Sequence, residues 1–191
     1  MLGQQARRRV LKQRRTARGF TLVEILISIV VLGVLISMGA VSFAEWLQNQ
    51  QIRGAAEAGL NGLQIARTEA IRRNLPVKFV LGPGTGWTVS ESVTNAVIST
   101  RAHEDGSRNA DANATPDGAT TVTFMALGGL TVNLDGSSAF SQIDISNAVG
   151  GTCKATGGDM RCLRLVVSAG GSMRMCDPAI AVAVPPDPRA C

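Results

Sequence analysis

The chain contains no tyrosine, a single histidine (His103) and only 4% aromatic residues among its 191. One histidine excludes a multi-histidine metal centre and argues against a histidine-based catalytic triad. The scarcity of aromatics removes most of the platforms on which a protein stacks nucleobases. Only Trp87 and Phe140 come into question for that role, and both read as core residues. No proline precedes Pro76 and no cysteine precedes Cys153. The glycine string Gly82-Pro83-Gly84-Thr85-Gly86 has no Gly-Lys-Ser/Thr after it, so it is a hairpin loop and not a phosphate cradle. No internal repeat is present. With 45% hydrophobic and 17% charged residues, the chain is not a fully disordered one. Its length suits one modest domain plus an appendage.

What charge there is lies unevenly. Arg7, Arg8, Arg9, Lys12, Arg14, Arg15 and Arg18 crowd the first 18 residues without one acid. Removing these seven from the net +5 leaves −2 for the rest, so the basic character belongs to the N-terminal segment. An apolar run follows, residues 20–44, with Glu24 the charge inside its first turns. About 20 apolar residues suffice to cross a bilayer as a helix, and the preceding cations place that end in the cytoplasm. A secretory signal peptide has the same basic-then-apolar order, but this run is longer than a signal core and no small-x-small cleavage site follows it. A carboxylate in such a span costs about 2.5–3.5 kcal/mol on insertion scales, so Glu24 is expected to have a partner or a task.

The string Gly19-Phe20-Thr21-Leu22-Val23-Glu24, behind its basic leader, resembles the processing site of type IV prepilins and of the pseudopilins of type II secretion. The resemblance implies removal of leader 1–19 by a prepilin peptidase, which cuts between Gly19 and Phe20, and N-methylation of Phe20. It also implies that Glu24 neutralises the α-amine of a neighbouring subunit during filament assembly, which would supply the buried carboxylate with its counter-charge.

Good helix formers continue beyond the apolar run. Ile52, Ala56, Gly59, Leu63, Ala66 and Ala70 recur at three-four spacing and mark one narrow face of small and apolar residues. Glu69 precedes Arg73 by four, a helix-supporting order. The spacing predicts one helix from about Leu22 to Asn74, roughly 80 Å at 1.5 Å per residue, stopped by Leu75-Pro76. Residues 20–44 would be its transmembrane or filament-core half and 45–75 its amphipathic half. Gly33 and Ser37 form a small-xxx-small pair compatible with close helix approach.

Residues 76–191 read as a β-rich head. Strands are predicted at Val77–Leu81, Gly86–Glu91, Ala96–Arg101, Thr121–Met125, Leu130–Leu134, Phe140–Ser146, Arg161–Ser168 and Gly171–Cys176. His103–Ala119, rich in Asp, Asn, Ala and Gly, is expected to be an exposed mobile loop with His103 solvated.

A second resemblance lies in Leu63-Gln64-Ile65-Ala66-Arg67-Thr68-Glu69-Ala70-Ile71-Arg72-Arg73-Asn74-Leu75-Pro76-Val77. This stretch is similar to the segment shared by GspH pseudopilins and FimT minor pilins, where an Ala-Arg-x-Glu-Ala helix end leads into the first strand. The fold so implied is α+β, a long N-terminal helix packed on a β-sandwich-like head. Arg67, Glu69, Arg72 and Arg73 read as solvating a helix face and complementing its C-terminal dipole, ahead of direct partner binding.

Cys153, Cys162, Cys176 and Cys191 lack the close pairs of zinc sites, so no metal is expected, and a periplasmic head favours disulfides. Three pairings are open. Cys153–Cys162 with Cys176–Cys191 is favoured, since the first closes a glycine-rich hairpin and the second staples a proline-rich tail. The ends Gly171-Ser172-Met173-Arg174-Met175-Cys176 and Asp187-Pro188-Arg189-Ala190-Cys191 are similar to the tail of FimT proteins, some of which bind DNA through a Gly-Arg-x-Arg motif before the Cys. Ser172 stands where the first arginine of that motif would be, and Arg174 keeps the second. Candidate DNA contacts are Arg174, Arg189, Arg161, Arg164 and Lys154.

The combined expectation is a non-enzymatic minor type IV pilin of the FimT kind, with a GspH-type pseudopilin of type II secretion as the alternative. Its partners would be prepilin peptidase, other pilins or pseudopilins, the bacterial inner membrane and double-stranded DNA, with no cofactor and no small-molecule substrate. The chain would cross the inner membrane once, hold its head in the periplasm, and later enter a pilus or pseudopilus.

Overall fold

The structure is a computed structural model and describes residues 19–191; the side chains of residues 38–42 lie outside the description, as do residues 1–18 and with them all but the last residue of the expected leader 1–19. The chain divides into two units, residues 1–40 and residues 41–191. Helix α1 spans Leu22–Arg73. Nine strands follow: β1 Val77–Leu81, β2 Trp87–Glu91, β3 Val97–Arg101, β4 Asp111–Thr115, β5 Thr121–Phe124, β6 Leu130–Thr131, β7 Gln142–Ser146, β8 Leu163–Val167 and β9 Met173–Cys176.

Helix α1 ends one residue before the expected Asn74, for a clear reason. Asn74 takes a left-handed φ of 54°, its N–H donates to Ile71 O (3.3 Å), and the Leu75 N–H donates to Ala70 O (3.3 Å). These are the two reversed bonds of a Schellman stop, with asparagine supplying the left-handed residue and Pro76 blocking continuation. The face foreseen from spacing is the buried one: Ile52, Ala56, Leu63, Ala66 and Ala70 are fully buried and Gly59 is buried with them. Two glycines set how closely the helix lies on the sheets. A Cβ on Gly59 would stand 3.0 Å from Leu165 Cδ1 of β8, and one on Gly62 would stand 2.8 Å from ring atoms of both Phe79 and Trp87.

The strands form two antiparallel sheets, β3-β2-β1-β5-β6 and β4-β7-β8-β9. In the first, β1 pairs with β2 (Phe79 opposite Val89) and with β5 (Phe79 opposite Val122). In the second, β7 pairs with β4 and β8, and β8 with β9. Phe79 of the first sheet meets Phe140, just before β7, edge to face at 6.0 Å. Val77, Phe79, Trp87, Val122, Phe140, Ile143 and Leu165 belong to one core with the buried face of α1. The result is the α+β arrangement expected, a helix packed on antiparallel sheets.

Two expectations need correction. The segment His103–Ala119 is not a plain loop, because β4 lies inside it and pairs along its whole length with β7. Asp-Ala-Asn-Ala-Thr has no β-branched apolar residue to announce a strand; as an edge strand with alternating exposure it gets its order from β7. His103 is half-buried, and its Nδ1 accepts the Thr85 N–H at 3.2 Å. The strand expected over Leu130–Leu134 stops at Thr131, because Asn133 leaves the ladder and turns its side chain to Thr123 and to the carbonyls of Thr121 and Ser137. Among the described residues no helix is long and apolar enough to cross a membrane.

Candidate functional site

The N-terminal segment is built around the start of α1. Gly19 and Phe20 precede the helix, and Phe20 is 79% exposed. Thr21 caps it: the Glu24 N–H donates to Thr21 Oγ1 at 3.2 Å, and the Thr21 N–H points back to Glu24 Oε2 at 3.5 Å. This reciprocal arrangement is a capping box, and its signature, Thr-x-x-Glu ahead of an apolar run, is visible in the sequence but overshadowed there by the processing motif. Glu24 therefore has a local partner in Thr21. Beyond it, Leu22, Val23, Ile25, Leu26, Ile27, Ile29 and the apolar residues to Ile36 are all exposed.

The C-terminal region is the second candidate. Cys153 is bonded to Cys162 and Cys176 to Cys191, with Cα separations of 5.4 and 5.2 Å. The tail returns to the end of β9, where the Asp177 N–H donates to Arg189 O at 2.7 Å and Asp177 bridges Ala190. Arg174 completes the attachment by donating Nη1 to Ala190 O and Nη2 to Cys191 O, both at 3.1 Å.

The five cations singled out from the sequence thus have different employment. Arg164 is bidentate to Asp144 across β7 and β8, at 2.6 and 3.0 Å, and its own pKa is raised by that carboxylate. Arg174 holds the tail. Arg189 is bidentate to Asp187, which pulls that carboxyl down to about 2. Arg161 lies 3.8 Å from Asp177, and Lys154 is exposed in the single turn Lys154–Thr156. Only Arg161 and Arg189 share a surface, an open cleft of about 670 Å³ between the tail and the Trp46–Arg53 stretch of α1. Arg53 lines it too, and pairs with Glu57 at 2.9 Å.

The charged helix end does more than solvate a face. Glu69 accepts from Arg72 at 2.6 Å and from Arg73 at 2.7 Å, and Arg73 reaches on to Glu91 of β2 at 2.8 Å. Hydrogen bonds from Arg72 first and Arg73 second hold Glu69 at about 2. Arg67 donates to Gly128 O at 3.1 Å. The cluster ties the last turns of α1 to the first sheet. Among the described residues, no group of three or more His, Cys, Asp or Glu is placed to hold a metal ion.

The family model for the type II transport protein GspH matches residues 55–171, more than half of the chain. The chain belongs to the GspH family. The prokaryotic N-terminal methylation motif matches residues 14–40 of this GspH-family protein, spanning Gly19, Phe20 and Glu24. Among solved structures, the type IV minor pilin FimU of Pseudomonas aeruginosa is similar in two crystal forms. One has 18% identity, covers 68% of this chain and 91% of FimU, and gives a TM-score of 0.49. The other has 17% identity, coverage of 64% and 90%, and a TM-score of 0.46. No curated protein matches. Family and methylation motif together make this GspH-family chain a subunit of the minor pilin or pseudopilin kind.

Proposed function

We propose that this protein is a minor type IV pilin of the FimT kind, cut after Gly19, methylated on Phe20 and built at low copy into a pilus as a non-enzymatic assembly subunit. The observation that carries the reading is the start of α1, where a methylation motif opens a helix whose apolar residues are exposed all round. A soluble domain does not leave such a surface uncovered, and helices of neighbouring subunits would bury it. Before assembly the same apolar half would hold the protein at the inner membrane, with the head in the periplasm.

The test separates the capping contact of Glu24 from the assembly role proposed for it. Glu24→Gln keeps a capping-box acceptor and removes the charge, whereas Thr21→Val breaks the cap and keeps the charge. Incorporation into sheared pili is expected to fail for the first and persist for the second. Normal incorporation of Glu24→Gln would refute the assembly role, and an intact Met1 by mass spectrometry in peptidase-competent cells would refute processing. A pseudopilus of type II secretion is the alternative host, supported by the description of the family model. Crosslinking to the filament subunits of each system decides between them. DNA capture is a second role, supported by the shared cleft of Arg161 and Arg189.

A further inference from the structure

The β1–β2 loop, residues 82–86, belongs to the five-stranded sheet by its connections and reaches the four-stranded sheet by its backbone. Its Gly84 O accepts the Ala112 N–H of β4 at 3.2 Å. Ala112 turns that N–H away from β7, because alternate residues of an antiparallel strand direct their backbone groups to opposite sides. The loop thus covers part of the outer edge of β4, a row of backbone groups that otherwise invites another strand.

A small polar node holds the loop in place. Thr85 Oγ1 and Ser107 Oγ, both buried, share a hydrogen bond of 2.8 Å. Arg101 donates Nη1 to Thr85 O at 3.3 Å, and Nη2 to Ser107 Oγ at 2.9 Å and to Asp105 O. The remaining attachment is the Thr85 N–H, which donates to His103 Nδ1 at 3.2 Å. The ring is closely fitted there: Gly84 has a left-handed φ of 58°, and a Cβ on it would collide with the imidazole.

Of these bonds, only the last depends on the charge of the ring. Nδ1 accepts only in a neutral imidazole with its proton on Nε2, whereas both nitrogens of an imidazolium are donors. A second proton therefore sets two N–H groups against each other at Thr85. Histidine is the residue type whose ordinary charge change falls between about pH 5 and 8. The charged groups on the surrounding elements are Arg101 at the end of β3, Glu104, Asp105 and Arg108 in the following turn, and Asp111 at the start of β4. The loop itself carries none, and α1 meets this turn through the uncharged Gln48 and Gln51. Two cations against three acids leave an imidazolium tolerable, so the lost hydrogen bond is the main consequence of protonation. We propose that His103 is an acid-released latch between the two sheets: when its ring takes a second proton, the β1–β2 loop loosens from the edge of β4.

The test follows amide hydrogen exchange of the full chain in detergent by NMR, from about pH 8 to about pH 5, with rates corrected for the intrinsic pH dependence of exchange. Protection at Thr85 and Ala112 is expected to fall about tenfold on acidification, the scale of one hydrogen bond. The midpoint should match the titration of the ring signal, which is unambiguous because the chain has a single histidine. Amides of β7 and β8 should keep their protection. His103→Asn offers an acceptor oxygen near the place of Nδ1 and does not titrate, so Ala112 should stay protected in that variant throughout. The latch is overturned by protection at Ala112 that is constant in the wild type, that falls equally in His103→Asn, or that falls together with β7 and β8, which would be general acid unfolding.

Discussion

Gly62 offers the sharpest check on how α1 meets the sheets. A methyl group there would lie 2.8 Å from Phe79 Cε2 and Trp87 Cε2 and 2.9 Å from Trp87 Cδ2. Those rings are stacked on each other at 5.8 Å and buried, so neither can move away without displacing the other. Overpacking of this kind costs roughly 1–3 kcal/mol. The gain in helix propensity from glycine to alanine offsets up to about 1 kcal/mol of it. Gly62→Ala should therefore destabilise the head by up to about 2 kcal/mol once the offset is subtracted. Gly54 lies in the same helix with nothing within 4 Å of its would-be Cβ, so Gly54→Ala receives the propensity gain alone. The two variants should differ by about 2 kcal/mol in opposite directions, or ~4–8 °C in Tm for a chain of this size. Thermal unfolding followed by near-ultraviolet circular dichroism, which reports on Trp87, measures both. If Gly62→Ala melts at or above Gly54→Ala, the close seating of the helix on Phe79 and Trp87 is wrong.

Glu69 gives a pH prediction. Its folded pKa of about 2 lies below its ordinary 4.5, so its contribution is complete above pH 4.5 and lost as pH falls toward 2. The gap in Tm between wild type and Glu69→Gln should accordingly close across that window; a constant gap would contradict the cluster. Replacing Cys176 and Cys191 together by serine opens a loop of sequence separation 15, a loss of about 3 kcal/mol in the chain-entropy model, read as a lower urea midpoint. Arg174→Ala, with the disulfide intact, should raise proteolysis within 177–191, and an unchanged rate would deny Arg174 its clamping role. For DNA, Arg161 and Arg189 both face acidic neighbours, so few phosphates can be neutralised. Each contributes only about −0.9 to the slope of log K against log salt. A measured slope no steeper than about −3 is expected, and one near −6 would require phosphate contacts well beyond Arg161 and Arg189 and would refute this reading.

Much of this fold was legible because several local signals agreed. The buried face of α1 is written in the spacing from Ile52 to Ala70, and its end in Asn74-Leu75-Pro76, where one residue tolerates a left-handed φ and another forbids continuation. Strands β1, β2 and β8 carry apolar residues the core needs, so composition and burial coincide. Strand β4 was not legible because its order comes from its neighbour: Asp111 to Thr115 contribute hydrogen bonds to β7 and little apolar surface. The same holds for Asn133, whose place is set by three partners at other positions and by no pattern of its own.

The arginines show where sequence reasoning about a binding site stops. In the chain, Lys154, Arg161, Arg164, Arg174 and Arg189 look like one basic stretch, since nothing in a sequence says which carboxylate each will meet. In the fold they are sorted by strand register and by the returning tail. Arg164 stands opposite Asp144 because β7 and β8 pair in that register, and Arg174 finds two carbonyls because the tail is brought back to β9. Counting cations therefore overestimates an electrostatic surface wherever a β-sheet places acids across from them. The start of α1 is a different case, because the processing proposed for it depends on residues adjacent in the chain: a glycine to cut after, an amine to expose, and a carboxylate one helical turn on. That difference explains why the start of α1 supports an assignment of function, while DNA contact rests on Arg161 and Arg189 alone.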